Sequence, residues 1–311
     1  MEEKAVIHRS HDLGAARAET PIDVSDLQKS LRRPRSLFSF LMSGLATVLT
    51  LLALVPLFSV LYMLLLKGVH GFSLAWFTQL PPGPMEVGGG FGNAILGTLI
   101  LVLLASLMSV PLGIVAAVFL AEFGPDTRLA SVVRFGAKVL SGFPSILAGV
   151  LAYGIVVVAT GHFSALAGGV ALAVLMLPTV ILTAEDAIRM VPNRIREAAV
   201  GMGATPTQTT LRVILPTAMP GILTGVMLAV ARAAGETAPL IFTASFNDYW
   251  PIKHGLPVVT QPTASLAVII YNFSKEPYDN MIAMAWSAAL VLVVLVLATN
   301  LMGQSLSRHN E

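Results

Sequence analysis

No cysteine occurs in the sequence, which excludes disulfides, thiolate metal sites and cysteine nucleophiles and leaves the redox compartment open. Charge is scarce as well. Asp, Glu, Lys and Arg together make up 12% of the residues, where soluble domains carry about 25%. His-Glu-x-x-His and Gly-x-Ser-x-Gly are both missing, so zinc-protease and serine-hydrolase chemistry lack their residues. No Gly-Lys pair occurs, and the chain therefore has no phosphate-binding P-loop of its own. The six histidines are scattered, at 8, 11, 70, 162, 254 and 309, mostly in tails and loops. A net charge of +2 is too small to argue for nucleic acid. What is abundant is apolar: 55% of the residues are hydrophobic and the mean hydropathy is +0.79. The composition is that of an integral membrane protein, with its 13 methionines as apolar filler.

A spanning helix needs about 20 apolar residues. Charge-free runs of that size extend over Leu37–Leu66, Phe91–Ala121, Val139–Gly161, Phe163–Ala184 and Asn280–Ser307. A further run, Val213–Asn247, is interrupted only by Arg232 and Glu236. The third and fourth runs are so close that they predict a tight hairpin. Loop charges set the expected orientation. Fifteen Lys and Arg fall in the N-terminal tail, the loops between spans two and three and between four and five, and the C-terminal end. The opposite loops hold three, Lys67, Lys253 and Lys275. Positive charge collects on the cytoplasmic side, so an all-α protein of six transmembrane helices with both termini cytoplasmic is expected.

The expected organisation is a cytoplasmic tail at 1–36, a six-span domain at 37–307 and a short cytoplasmic end at 308–311. The tail lacks the apolar core and cleavage site of a signal peptide. It reads as mostly disordered, with Ser25 and Gln28 placed to cap a short helix. Two outer loops look built rather than slack. One holds Pro81-Pro82-Gly83-Pro84 and Gly88-Gly89-Gly90, which stop a helix. The other, 241–279, carries Phe242, Phe246, Tyr249 and Trp250, expected at the headgroup level. Its apolar stretch Leu266–Phe273 is too short to span and suggests an interfacial or re-entrant helix.

Between spans four and five, Glu197-Ala198-Ala199, Gly203, Val213, Leu215 and Pro216 hold a fixed spacing over 20 positions. The stretch reads as a helix, a glycine break, a second short helix with Thr205 as cap and Pro206 in its first position, and re-entry at Leu215-Pro216. Gly201 and Gly203 supply backbone freedom, and the alanines allow close approach by a partner. The segment, about 187–216, resembles the EAA coupling loop of ABC importer permeases. That resemblance implies the type I ABC importer permease (MetI-like) fold and docking of this loop on a cytoplasmic ATPase.

Arg232 and Glu236 stand at i, i+4, on one helix face. Counted from Met219, Arg232 is expected roughly 20 Å into the membrane, at about 1.5 Å per residue. An ionisable residue in a span costs at least about 2.5–3.5 kcal/mol and usually faces a cavity or a partner. Gly235 leaves room beside the pair, and Pro239 distorts the helix beyond it. Gly221 and Gly225 form a GxxxG that favours close packing. Four readings of the pair stand at this level: an anion site in a path, a resting gate, a buried ion pair that only fixes the helix, and a contact to a companion permease. Thr237 is a further candidate donor, or else bonds back to its own helix. Pro144 between Ser141 and Ser145 reads as a packing kink or as backbone facing a path. Glu185 and Asp186, at the end of span four, are expected to be solvated.

The segment Ala231–Leu240 resembles span five of the PstA family, the permease subunits of phosphate ABC importers. Phe77-Thr78-Gln79-Leu80-Pro81-Pro82, Gly88-Gly89-Gly90, Asn93-Ala94-Ile95, Phe143-Pro144-Ser145-Ile146, Leu177-Pro178 and Ile270-Tyr271-Asn272 are also similar, so the resemblance covers about residues 37–305. It implies a membrane subunit without catalysis, forming half of a path for inorganic phosphate. It further implies a paralogous permease (PstC-like), an ATPase dimer (PstB-like) that uses ATP and Mg, and an extracytoplasmic phosphate-binding protein (PstS-like). No cofactor or metal is implied on this chain, and no nucleic acid. The alternatives are the same machine carrying sulfate, molybdate or phosphonate, and an ion-coupled transporter; the latter predicts inverted repeats or several intramembrane acids, and neither is seen.

Overall fold

The computed structural model describes residues 34–70, 72–86, 88–253 and 255–308. The tail through residue 33, with its Ser25–Gln28 cap, and residues 309–311 lie outside the described residues.

Helix α1 (Pro34–Gly68) begins with a proline, which a first turn tolerates because its missing N–H has no partner to lose. By packing, the chain divides after Leu61. The first unit is this apolar helix up to that residue, with the side chains of 37–61 exposed.

The second unit starts with the end of α1. A short helix α2 (Ala75–Thr78) precedes the proline–glycine loop. Helix α3 (Gly92–Val118) ends in a π-helical turn, Phe119–Phe123. The expected third span is sharply broken. Helix α4 (Arg128–Ser141) is followed after Gly142-Phe143-Pro144 by α5 (Ser145–Ala152), a π turn (Tyr153–Val157) and α6 (Val158–Thr160), and the two arms meet at 107°. The apolar run from Val139 therefore belongs to two elements. Pro144 cannot supply the N–H that a continuous helix needs there.

Gly161 closes the hairpin in the left-handed region, and the Ser164 hydroxyl accepts from the Ala167 amide to start α7 (Ala165–Arg189). Two short helices follow, α8 (Asn193–Gly201) and α9 (Pro206–Thr209). A π turn (Thr210–Ile214) then leads without a break into α10 (Leu215–Ala234). Re-entry is thus a continuous helix rather than a fresh start at Leu215-Pro216. Helix α11 (Ala238–Ile241), a small ribbon of β1 (Ile252–Lys253) and β2 (Leu256–Pro257), α12 (Leu266–Phe273) and α13 (Asp279–Arg308) complete the fold. The two-residue strands pair antiparallel, a minor departure from an all-helical chain.

Among the described residues, five helices are long and apolar enough to cross a membrane, and a sixth is present if the bent pair counts as one span. The main core lies where α3, α7 and α10 meet, around Leu101, Leu172, Met176, Ile188, Ile214 and Ile222. Small residues bring these helices together, as the GxxxG predicted. Gly225 lies directly on the Thr183 side chain and Gly221 on the Ala187 methyl, so α10 contributes no side chain at these contacts with α7. A second core joins α12 to α3 and α13 through Phe91, Leu266, Ile269, Phe273 and Met284. Helix α12 therefore packs against the chain's own core through Leu266, Val268, Ile269 and Phe273, while Tyr271 is exposed. Its N-terminus is tied down as well, with the Leu266 amide donating to the Thr98 hydroxyl at 2.9 Å.

Candidate functional site

Arg232 lies in the last turn of α10, two residues before the helix stops at Ala234. The apolar run continues to Asn247, but the helix breaks at Gly235–Thr237, ahead of the distortion expected at Pro239. The reason is Pro239, which would clash with a carbonyl four residues back in a continuous helix but fits the first turn of a new one. Gly235 and Glu236 close α10 by donating their amides to Arg232 O and Ala233 O at 3.1 and 3.2 Å. Arg232, expected past the midplane of an unbroken span, thus stands at the carbonyl end of a discontinuous one, where the helix dipole favours a cation.

The Arg232 Nε lies 3.6 Å from Glu236 Oε1, an ion pair longer than a hydrogen bond. The arginine side chain is 46% exposed and the glutamate 15%. Glu236 is outside the helix, so the i, i+4 contact survives although helical geometry does not. Thr237 occupies the N-cap of α11 without making a capping bond. Helix α11 is held from behind by α5. A Cβ on Gly149 would sit 2.6 Å from the Pro239 Cα, so only glycine lets these two backbones approach. The break, its arginine and its glutamate are thereby positioned by the arm that starts at Ser145.

The coupling segment has the expected helix–break–helix form. Gly203 takes φ +85°, the left-handed turn that ends α8; Gly201 is helical and uses no such freedom. Thr205 caps α9, and Gln208 completes a reciprocal capping box. Glu197, Ala198 and Gly203 are exposed, as is Pro216, while Ala199 is buried and Val213 and Leu215 are half-buried. Around the exposed motif residues, Val200, Met202 and Leu211 also face outward, Met202 at 83%.

The largest departure from the sequence reading lies beneath this segment. Glu185, expected in solvent, is buried; its Oε1 accepts from Arg134 Nε at 2.7 Å and forms an ion pair with Arg189 Nη2 at 2.9 Å. Arg134 also donates to the carbonyls of Leu120 and Pro125, at 2.7 and 2.9 Å. Asp186 is exposed, as expected. A second guanidinium, that of Arg196 on α8, reaches Glu122 Oε1 from Nη2 at 2.8 Å and from Nε at 3.2 Å. It also donates to Ile188 O at 3.0 Å, to Asn193 Oδ1 at 3.2 Å and to Val191 O. Glu122 and Arg196 drew no attention in the sequence beyond their place at loop ends; an acid at the end of an apolar run, facing an arginine-rich loop, was the available signal.

The outer loops are locked by amides. Asn93 Nδ2 donates to Asn247 O, and Asn247 Nδ2 to Pro262 O, each at 2.9 Å. Partial burial raises the Asp248 carboxyl above its usual pKa. A cleft of about 600 Å³ lies among His70, Trp76, Glu86, Tyr278 and Asp279, away from Arg232.

Residues 109–310 match the family described as binding-protein-dependent transport system inner membrane component. The phosphate transport system permease protein PstA of Yersinia pestis is 39% identical over 89% of this chain and 91% of its own length. PstA of Xylella fastidiosa (strain 9a5c) is 42% identical over 80% and 85%. The chain belongs to the PstA family of these membrane components. The probable PstA of Methanocaldococcus jannaschii is 37% identical, so the relationship reaches an archaeon. Two solved structures share the fold of this chain. A chain of the MetNI methionine ABC transporter superimposes with a TM-score of 0.56 over 70% of this chain and 93% of its own, at 21% identity. A chain of a bacterial alginate ABC transporter does so with 0.61 over 90% and 98%, at 15% identity. The fold is that of ABC importer permeases, and this PstA-family chain is a multi-pass inner membrane protein.

Proposed function

We propose that the chain is the transmembrane permease subunit of an ATP-driven inorganic phosphate importer. Kinship over most of the chain with proteins named phosphate transport permeases carries this reading. The geometry at the break in span five supports it: a half-exposed guanidinium at the end of a discontinuous helix, with a carboxylate beside it. Guanidinium supplies the fixed charge and paired donors that a phosphate oxyanion needs. Phosphate keeps a proton at neutral pH, and Glu236 accepts that hydrogen bond. Sulfate has no such proton and meets a bare carboxylate. Arg232 attracts the ion, Glu236 orients the arginine and selects against unprotonated anions, and Thr237 lines the path. A guanidinium this exposed suits a path or a gate better than a pair that only fixes a helix.

Both termini and the 187–216 segment face the cytoplasm. A PstC-like permease forms the other half of the path, one subunit of a PstB-like ATPase dimer that uses ATP and Mg docks on the exposed surface around Glu197, Ala198 and Gly203, and a PstS-like protein delivers phosphate from outside. The chain itself catalyses nothing. ATP closes the ATPase dimer, the coupling helices approach each other, and the outer gate opens.

The test is uptake of labelled phosphate by the reconstituted complex, with sulfate as competitor. Wild type takes up phosphate against excess sulfate, and Arg232→Gln assembles without uptake. Glu236→Gln loses uptake or becomes sulfate-sensitive. Normal uptake by Arg232→Gln removes the arginine from the path. An assembled, ATP-hydrolysing complex that carries sulfate, molybdate or phosphonate in place of phosphate makes this a related anion importer.

A further inference from the structure

Helix α8 has two faces. Glu197, Ala198, Val200 and Gly201 are turned outward, and Ile195, Arg196 and Ala199 inward. Ile195 adds to the main core and Ala199 is buried, yet both are small attachments for a helix that is to bear force. Arg196 is of a different kind. A guanidinium has five N–H donors, and here each has an acceptor: two reach Glu122 Oε1, two the carbonyls of Ile188 and Val191, and one Asn193 Oδ1. Ile188 and Val191 lie at the closing end of α7, where the Ile188 carbonyl also accepts from the Val191 amide. Glu122 lies on the π turn that ends α3, so a single side chain ties α8 to the ends of two spans. The same two ends are tied again from the other side, where Arg134 of α4 holds Leu120 O of the π turn and Glu185 of α7.

We infer that the Glu122–Arg196 pair is the link through which the coupling helix moves as one body with α3 and α7. This rests on the reading of the 187–216 segment as the ATPase-docking loop. The two halves of the loop then transmit differently. Helix α9 runs directly into α10, whose far end carries Arg232. Helix α8 has no covalent continuity with α3 and reaches it through this pair. With the pair intact, closure of the ATPase displaces α10 together with the α3–α7 ends. With the pair broken, α8 and the end of α7 that it continues follow the ATPase while α3 lags behind, and hydrolysis runs without transport. Arg196 and Glu122 are positioning residues; neither touches the ion.

The experiment compares phosphate moved per ATP hydrolysed in the reconstituted complex for wild type, Glu122→Gln and Arg196→Lys. Lysine keeps the charge but not the fork that bridges two helix ends. Both variants are expected to retain the ATPase subunits and hydrolyse ATP while the ratio falls about fivefold, within the range that changes along a coupling network produce. An unchanged ratio overturns the link, and so does loss of ATPase binding, which makes the pair a folding element of the docking surface. A second arm uses the absence of native cysteine. Glu122→Cys with Arg196→Cys, joined by a thiol cross-linker spanning the pair, is expected to recover the wild-type ratio, and the unjoined double variant is not. Failure of the cross-link to restore coupling also overturns the link. If Met202→Cys, with the Glu122–Arg196 pair intact, does not cross-link to the ATPase, the docking reading fails instead, independently of the pair.

Discussion

Arg232 and Arg196 have the same side chain in opposite circumstances. Arg196 has spent every donor on protein acceptors, whereas Arg232 faces one carboxylate at 3.6 Å and keeps nearly half its surface open. A guanidinium in the second state has capacity left for a ligand. Arg232→Lys retains the charge and loses the paired donors. Phosphate uptake is expected to fall roughly tenfold, equivalent to about 1.4 kcal/mol, and to remain above that of Arg232→Gln. Glu185 and Asp186 give a second contrast between neighbours. Glu185→Ala leaves Arg134 and Arg189 without their shared carboxylate and is expected to cost about 2 kcal/mol. Asp186→Ala, on the exposed side, is expected to leave the unfolding temperature of the detergent-purified complex unchanged.

Elements in this chain are defined by where they break. Pro144 turns one apolar run into two arms at 107°, and Pro239 turns another into α10 and α11. The two breaks meet at the close approach of Gly149 and Pro239. Gly149→Ala forces these backbones apart and, at an overpacking cost of about 1–3 kcal/mol, is expected to reduce phosphate uptake in a complex that still assembles. Gly136 on α4 is the control, since a Cβ there meets nothing within 4 Å. Gly136→Ala is expected to be neutral or to stabilise by up to about 1 kcal/mol, as for any open helical glycine. Thermal unfolding and uptake, measured on both variants, separate helix propensity from the geometry of the break.

At the scale of the whole molecule, α3 and α7 both run from the outer-loop end to the charge-clamped end, and the continuous helix from Pro206 runs back. The arginines of the clamped end set the expected orientation. In the cysteine-free background, Ser274→Cys is expected to react with an impermeant thiol reagent on intact cells. Asp126→Cys is expected to react only after permeabilisation. The reverse pattern inverts the topology and places the Glu197 surface out of reach of a cytoplasmic ATPase.

Much of this was legible in the sequence because it is local. Apolar runs mark spans whatever their neighbours do, Gly203, Thr205 and Pro206 mark the helix–break–helix form of the 187–216 segment, and two charges in an apolar run mark themselves. Thr205, Pro206 and Gly203 fixed their own turn and cap. Tertiary structure decided the rest, since it depends on which residue meets which. A carboxylate such as Glu185 at the end of an apolar run is solvated unless a guanidinium from another element reaches it, and Arg134 lies 51 residues away. Hydropathy averages over a run, so it passed over the bend at Pro144 and the break at Gly235–Thr237, where a single missing N–H outweighs twenty apolar side chains. Leu266–Phe273 is apolar enough for a lipid surface or a protein core, and only the tertiary structure shows Phe91 and Met284 packed with it.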